Sequence, residues 1–198
     1  MLMARVQTTP AGRRPTATMA ALACSLSAYL LLALGPAASP ASARCAHAGA
    51  HPHDVTLPKL RKAVICLVNR ERGNRGRRLV ASNARLQLAA QSHTKRMLAN
   101  DCFRHKCPGE PGLNRRVRRT GYTKGQKAWR FAEDLGYDNT PRQVVKSWLH
   151  SRFNRRVMLN RHFRDIGLGV GWGAPVAGAD DSRFATYTAV FGWRRANP

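Results

Sequence analysis

Two side chains of this sequence have the types needed for acid–base chemistry, His105 and Glu133. An imidazole exchanges protons near neutral pH, and a carboxylate beside it can hold the ring in one orientation. In a hydrolase such a pair would activate a water molecule or an exposed serine as the nucleophile. The alternative is structural: the His105 ring bonds across the loop between Cys102 and Cys107 and to Glu133, and so fixes that loop.

The sequence marks no nucleophile to accompany this pair. It contains neither a Gly-x-Ser-x-Gly elbow nor a His-Glu-x-x-His zinc motif. We therefore favour a structural or binding role for His105 over catalysis, and we expect no cofactor.

Cysteine usage indicates an exported protein. Four cysteines follow residue 43: Cys45, Cys66, Cys102 and Cys107. An even number in an exported chain predicts two disulfides, and of the three possible pairings we favour the sequence-near one, Cys45 with Cys66 and Cys102 with Cys107. A zinc site of Cys102, His105 and Cys107 is the alternative, although its spacing differs from that of structural zinc sites.

The N-terminal residues have the pattern of an export signal. Arg5, Arg13 and Arg14 precede an uncharged run over residues 19–34, and small residues follow at 41–43. We predict a signal peptide over 1–43, a flexible N-terminal arm over 44–57 held only by Cys45, and one domain over 58–198. A transmembrane anchor is the alternative for the apolar run, but we expect a secreted protein that does not span a membrane after cleavage.

The chain is strongly basic. Its formal net charge is +24, and loss of residues 1–43 would remove three arginines and no acidic residue, which leaves +21. Such a surface attracts polyanions with a strong salt dependence. The alternative is a solvated basic face without a role. No helix-turn-helix or aromatic interleaving predicts specific nucleic-acid binding.

Apolar spacing predicts helices packed around a small antiparallel sheet, an α+β fold. In the second helix the apolar spacing selects Leu86, Ala90 and either His93 or Met97, yet we expect His93 and His150 to be boundary or surface residues. The predicted helices cover residues 59–72, 83–100, 113–120 and 141–151, and the predicted strands cover residues 127–131, 166–172 and 183–193, of which the last two form a hairpin.

Several segments, in this order, resemble the bacterial branch of the CAP family (cysteine-rich secretory, antigen 5 and pathogenesis-related proteins). The resemblance covers about residues 59–194. Its parts are residues 66–72, similar to "LLNxER"; the helix over 83–100; Phe103-Arg104-His105, similar to "FSH"; residues 118–122, similar to "aGY"; residues 131–136, similar to "xGENIa"; residues 140–151; residues 154–169; and residues 186–192, similar to "yxTQxFG".

This resemblance implies an alpha-beta-alpha sandwich with a cleft on one side, lined by two histidines and acidic residues and metal-bound in some members. His105 matches the first histidine and Glu133 the acid of the "GEN" turn. Asn154 stands in place of the second histidine, which weakens any transition-metal site. The candidate cleft residues are His105, Glu133, Asn154 and Tyr187, with Trp129 as a possible border.

Since no nucleophile is marked and the second histidine is missing, we expect a secreted, noncatalytic binding module for a lipid, a glycan or a polyanionic wall ligand. The resemblance implies the lipid option, and the basic surface adds the polyanion. The alternative is a metal-dependent hydrolase that uses His105 and Glu133.

Overall fold

A computed structural model gives the structure of residues 44–179 and 182–196, and the predicted signal peptide lies outside these residues. The described chain forms five helices: α1 (Leu57–Gly73), α2 (Ala84–Ala99), α3 (Leu113–Arg119), α4 (Pro141–His150) and α5 (Arg152–Met158). None of them is long and apolar enough to cross a bilayer.

The sheet has four strands in the order β1-β3-β4-β2, namely β1 (Ala81–Ser82), β2 (Gln126–Asp138), β3 (Asp165–Trp172) and β4 (Ala185–Ala196). The predicted hairpin is confirmed, because β3 and β4 pair antiparallel. Strand β2 also runs antiparallel to β4. The expected purely antiparallel sheet is wrong at one edge, where the short β1 pairs parallel with β3.

Helices cover both faces of the sheet, as the α+β prediction requires. Helices α1 and α4 bury their apolar sides in one core cluster, which contains Trp148, Tyr187 and Phe191. Helices α2 and α3 cover the opposite face through a second cluster around Leu86 and Val190. Successive strand residues point to opposite faces, so β4 supplies side chains to both clusters.

Local sequence signals explain where the helices begin. The Asn83 side chain accepts hydrogen bonds from the first-turn amides of α2, and the Thr140 side chain does the same for α4, which has proline at its first position. Ser151 ends α4 and caps α5 by accepting from the Asn154 amide. The predicted helix over 141–151 ends here, and α5 was not predicted.

Two glycines of β3 let helix α2 lie directly on the sheet. A Cβ atom at Gly167 would lie 2.1 Å from the Leu86 carbonyl carbon, and one at Gly169 would lie 2.5 Å from the Ala90 carbonyl oxygen. Any side chain at these positions would therefore push α2 away from β3. This close packing fixes the distance between α2 and the sheet, and therefore also the position of His93 over the sheet.

The segment before α1 is held by more than Cys45, contrary to expectation. The predicted Cys45–Cys66 disulfide is confirmed. In addition, Ala48 is buried, its carbonyl oxygen accepts from the Arg142 amide at 2.8 Å, and the His53 ring stacks on Trp172 at 4.6 Å. These contacts are made by single residues that follow no helical or strand period, so they could not be predicted from the sequence.

Candidate functional site

Four elements bring five polar side chains together on the α2 side of the sheet. Helix α2 supplies His93, the loop after it supplies His105 and Glu110, helix α3 supplies Arg116, and β2 supplies Glu133. All but His105 are buried. We call this set the His105 network.

His105 and Glu133, predicted as a pair, are in contact. His105 Nδ1 lies 3.0 Å from Glu133 Oε1, and the His105 side chain is 65% exposed whereas that of Glu133 is 1% exposed. An ionised carboxylate can only accept, so Nδ1 carries the proton and donates it. His105 Nε2 has no hydrogen-bond partner among the described residues, and most of the ring is exposed. Glu133 lies within β2, not in the turn that the resemblance implied.

Arg116 is the buried cation of the network. One of its terminal nitrogens donates to Glu133 Oε2 at 2.6 Å, and the other donates to the His105 carbonyl oxygen at 3.1 Å and lies 3.6 Å from Glu110 Oε1. Arg116 therefore fixes both the carboxylate that orients His105 and the main chain that carries it.

His93 and Glu110 complete the network beneath the loop. His93 Nδ1 lies 2.8 Å from Glu110 Oε1 and also 3.2 Å from an Arg116 nitrogen. These two contacts conflict, because Nδ1 cannot donate to the carboxylate and accept from the guanidinium at once; the shorter distance favours donation to Glu110. Glu110 Oε1 also accepts from the Cys107 amide at 2.8 Å.

The loop that carries His105 is closed covalently. Cys102 and Cys107 form a disulfide with their Cα atoms 5.9 Å apart. The predicted pairing is therefore confirmed. The zinc alternative for Cys102, His105 and Cys107 is wrong, because the two sulfur atoms are bonded to each other and no thiolate is left to bind metal.

Replacing both Cys102 and Cys107 with serine is expected to lower the free energy of unfolding by about 2 kcal/mol, because the unfolded chain regains the freedom of this short loop. The double variant Cys45→Ser/Cys66→Ser removes the bond that closes a longer loop, and it should lower the free energy of unfolding by about 3 kcal/mol. Denaturant unfolding under non-reducing conditions measures both. Equal midpoints for the first pair and the wild type would show that the short disulfide adds no stability.

The other two predicted cleft residues lie elsewhere. Tyr187 is fully buried on β4 and faces the α1/α4 core, whereas Glu133 pairs with Val190 and faces the opposite side. Burial, followed by the charge of Asp138, raises the pKa of Tyr187. Asn154 is half-buried in α5, and no hydrogen bond among the described residues joins it to His105 or Glu133.

An aromatic cluster begins in the loop that carries His105. Phe103, two residues away in the same loop, is exposed and meets Tyr137 edge-on at 5.0 Å; Tyr137 in turn meets Phe184 at 5.9 Å. Tyr137 lies four residues after Glu133 in β2, so both point to the same face. We call His105, Phe103 and Tyr137 the His105 surface. Trp129 is exposed on the same face, four residues before Glu133.

Sequence reasoning missed three members of the network. His93 was placed at the surface, yet it is fully buried, and its spacing from Leu86 and Ala90 on the apolar side of α2 was the available signal. Glu110 and Arg116 gave no such signal, because each is a single charged residue in a loop or a basic helix.

The network does not fit a metal site of the kind that the resemblance implies in some members. Arg116 donates to Glu133 Oε2 at 2.6 Å, so that oxygen is not free to bind a metal ion. Within residues 44–179 and 182–196, no three His, Cys, Asp or Glu side chains are arranged to hold a metal ion.

The fold and the ordered motifs define the class of protein. The model of the CAP family, described as the cysteine-rich secretory protein family, matches residues 66–187. The chain belongs to this family.

Relatives place it among bacterial members. The chain is 29% identical over 117 residues to the uncharacterized protein YkwD of Bacillus subtilis, which covers 54% of this chain and 41% of that protein. Its fold is similar to that of an extracellular protein containing an SCP domain from Bacillus anthracis, with a TM-score of 0.53, 23% identity and coverage of 71% and 44%.

An outer surface protein from Borrelia burgdorferi is also similar, with a TM-score of 0.59, 17% identity and coverage of 71% of this chain and 97% of that one. At these identities the structural likeness speaks for the fold alone. The matched part spans less than half of YkwD and of the Bacillus anthracis chain.

Proposed function

We propose that this protein is a noncatalytic extracellular binding module that holds a glycan at the His105 surface. The observation that carries the proposal is an exposed imidazole that is fixed by a buried carboxylate and follows an exposed phenyl ring by two residues in the same disulfide-closed loop. Ligand sites combine apolar or aromatic contacts with a few well-placed polar groups. A sugar ring offers both a hydroxyl for His105 Nε2 and an apolar face for Phe103.

The arrangement of charges favours binding over hydrolysis. In a catalytic His–carboxylate pair, the carboxylate stabilises the imidazolium that forms when the ring takes a proton. Here Arg116 already compensates Glu133 at 2.6 Å, which weakens that stabilisation. No serine, threonine or cysteine side chain bonds to His105 Nε2 among the described residues.

The relatives support the extracellular location. The Bacillus anthracis structure is of an extracellular protein and the Borrelia burgdorferi structure is of an outer surface protein. Secretion of this chain is part of the proposal, together with cleavage near residue 43.

Co-sedimentation with peptidoglycan from which phosphate-bearing polymers have been stripped tests the proposal. We expect the wild type to bind and His105→Ala to bind at least tenfold more weakly, because the hydrogen-bonding ring is lost. His150→Ala is the matched control, since His150 is an exposed histidine of α4 outside the network, and it should bind as the wild type does.

Three results would overturn the proposal. One is absence of binding by the wild type, and another is equal weakening by both histidine variants. The third is release of soluble fragments by the wild type but not by His105→Ala, with or without added Zn²⁺ or Ca²⁺, which would establish the hydrolase alternative.

A further inference from the structure

A basic groove lies on α5 and the turn that follows it. Its volume is about 630 Å³, and its lining contains no acidic residue. The cationic side chains of the lining, all exposed, are Arg77, Arg152, Arg155, Arg156, Arg161 and His162. We call it the α5 groove.

The charges of this groove are not compensated within the described part of the protein. None of its five arginines takes part in a salt bridge there. The side chains of Arg77 and Arg156 make no hydrogen bond to another described residue. Like charges held this close repel each other, so an anionic ligand would relieve a repulsion that the folded chain otherwise carries.

A buried cation holds the floor of the groove in place. Arg72 of α1 is fully buried and donates to the carbonyl oxygens of Met158 at 2.6 Å, Asn160 at 3.2 Å and Phe163 at 3.3 Å, and of Arg78 at 2.8 Å. These bonds tie the end of α5, the following turn and the segment after α1 to one planar group. The arginines of the groove therefore stand on a fixed main chain.

Arg72 also adds to the positive potential. Among the described residues no carboxylate forms an ion pair with it, and its guanidinium donates only to carbonyl oxygens, which leave its charge in place. Burial first, and then the charges of Arg164 and Arg77, lower the pKa of Arg72 to about 10.

The type of side chain and its arrangement indicate the ligand chemistry. Guanidinium groups bind phosphate oxygens through two parallel hydrogen bonds, which ammonium groups cannot do. The arginines are spread along α5 and the turn after it, so they can contact successive phosphate groups of one chain. We propose that the α5 groove binds several phosphate groups carried on one soluble chain, at a site separate from the His105 surface.

The chain offers a matched control in a second basic groove. That groove lies on α3 and is lined by Asn114, Arg115, Arg118 and Arg119. Replacing Arg118 and Arg119 removes the same charge from the same protein, without touching the site held by Arg72. The comparison separates a specific site from general attraction to a basic surface.

The test uses calorimetric titration of the protein with inorganic oligophosphate at physiological salt. We expect Arg155→Gln/Arg156→Gln to weaken binding at least tenfold and Arg118→Gln/Arg119→Gln to weaken it less than threefold. Binding by the first variant should also depend less steeply on salt concentration, because two fewer phosphate contacts are made. Both pairs are exposed on short helices, and melting curves verify that both variants are folded.

Any of three results would overturn the proposal. Wild-type protein that does not bind oligophosphate would do so, as would equal weakening by the two double variants. Binding to phosphatidylglycerol vesicles without binding to oligophosphate would assign the arginines to a membrane surface instead. The sedimentation assay with stripped peptidoglycan should be unchanged in Arg155→Gln/Arg156→Gln, so failure of this proposal and failure of the proposed function remain distinguishable.

Discussion

Replacing Arg116 with methionine is expected to lower the free energy of unfolding by about 3–5 kcal/mol, because it leaves buried carboxylates without their cation. Glu133 would lose its 2.6 Å partner, and Glu110 would lose a guanidinium 3.6 Å away. Methionine fills a similar volume, so the decrease in the free energy of unfolding comes mainly from removal of the charge and only to a small extent from a cavity. Denaturant unfolding monitored by tryptophan fluorescence measures the change.

Arg115→Met is the matched control for this prediction. Arg115 precedes Arg116 in α3 but is exposed, and an exposed substitution of this kind changes stability by less than about 0.5 kcal/mol. The double variant Arg116→Met/Glu133→Met should recover part of the loss, because the stranded carboxylate is removed with its partner. Equal midpoints for Arg115→Met and Arg116→Met would contradict the role given to Arg116.

Replacing Asp134 with asparagine is expected to stabilise the protein increasingly as the pH rises. Asp134 is fully buried in β2, and neither of its carboxylate oxygens has a hydrogen-bond partner among the described residues. Burial first, and then the charge of the neighbouring Glu133, raise the pKa of Asp134 to about 9. The folded chain therefore keeps this group protonated over a range where the unfolded chain does not.

The sign of the pH dependence follows from proton binding. Between about pH 4 and pH 9 the folded state binds one more proton than the unfolded state at this site, so stability falls as the pH rises. Asparagine does not titrate. The stability advantage of Asp134→Asn should thus grow by up to about 1.4 kcal/mol per pH unit, or about 4 kcal/mol from pH 4 to pH 7.

Unfolding curves of both proteins at pH 4, 5, 6 and 7 measure this slope. Asp54→Asn, which removes an exposed carboxylate, controls for the change in net charge. A stability difference between Asp134→Asn and wild type that stays constant from pH 4 to pH 7 would show that Asp134 is ionised in the folded protein.

Elements with a strong local signal could be predicted from the sequence. Asn83 and Thr140-Pro141 begin helices where expected, and the predicted strand over 166–172 falls within β3. Helix α5 has no apolar period and only two turns, so nothing in its arginine-rich sequence indicated it. Strand β2 continues well beyond the predicted residues 127–131, because pairing with β4 stabilises the extended conformation where local strand propensity is weak.

Only those site residues that belong to a family motif could be predicted from the sequence. Resemblance placed His105 beside Glu133, which the 3.0 Å contact now shows. The position of Arg116 depends on how α3 lies against the sheet, which spacing alone does not encode. Similarly, burial of the charged Arg72 near the end of α1 was not predicted, because it depends on four carbonyl oxygens that the fold brings to its guanidinium.

The His105 surface is complete only after the Cys102–Cys107 disulfide has formed. Thiols stay reduced in the cytosol of most cells and pair once a chain reaches an oxidising compartment. Before that moment residues 102–107 lack their covalent closure, and the main chain that carries Phe103 and His105 is held by weaker contacts alone. If the chain is exported as we propose, a newly made chain would therefore bind its ligand less well inside the producing cell than after the disulfide has formed outside it.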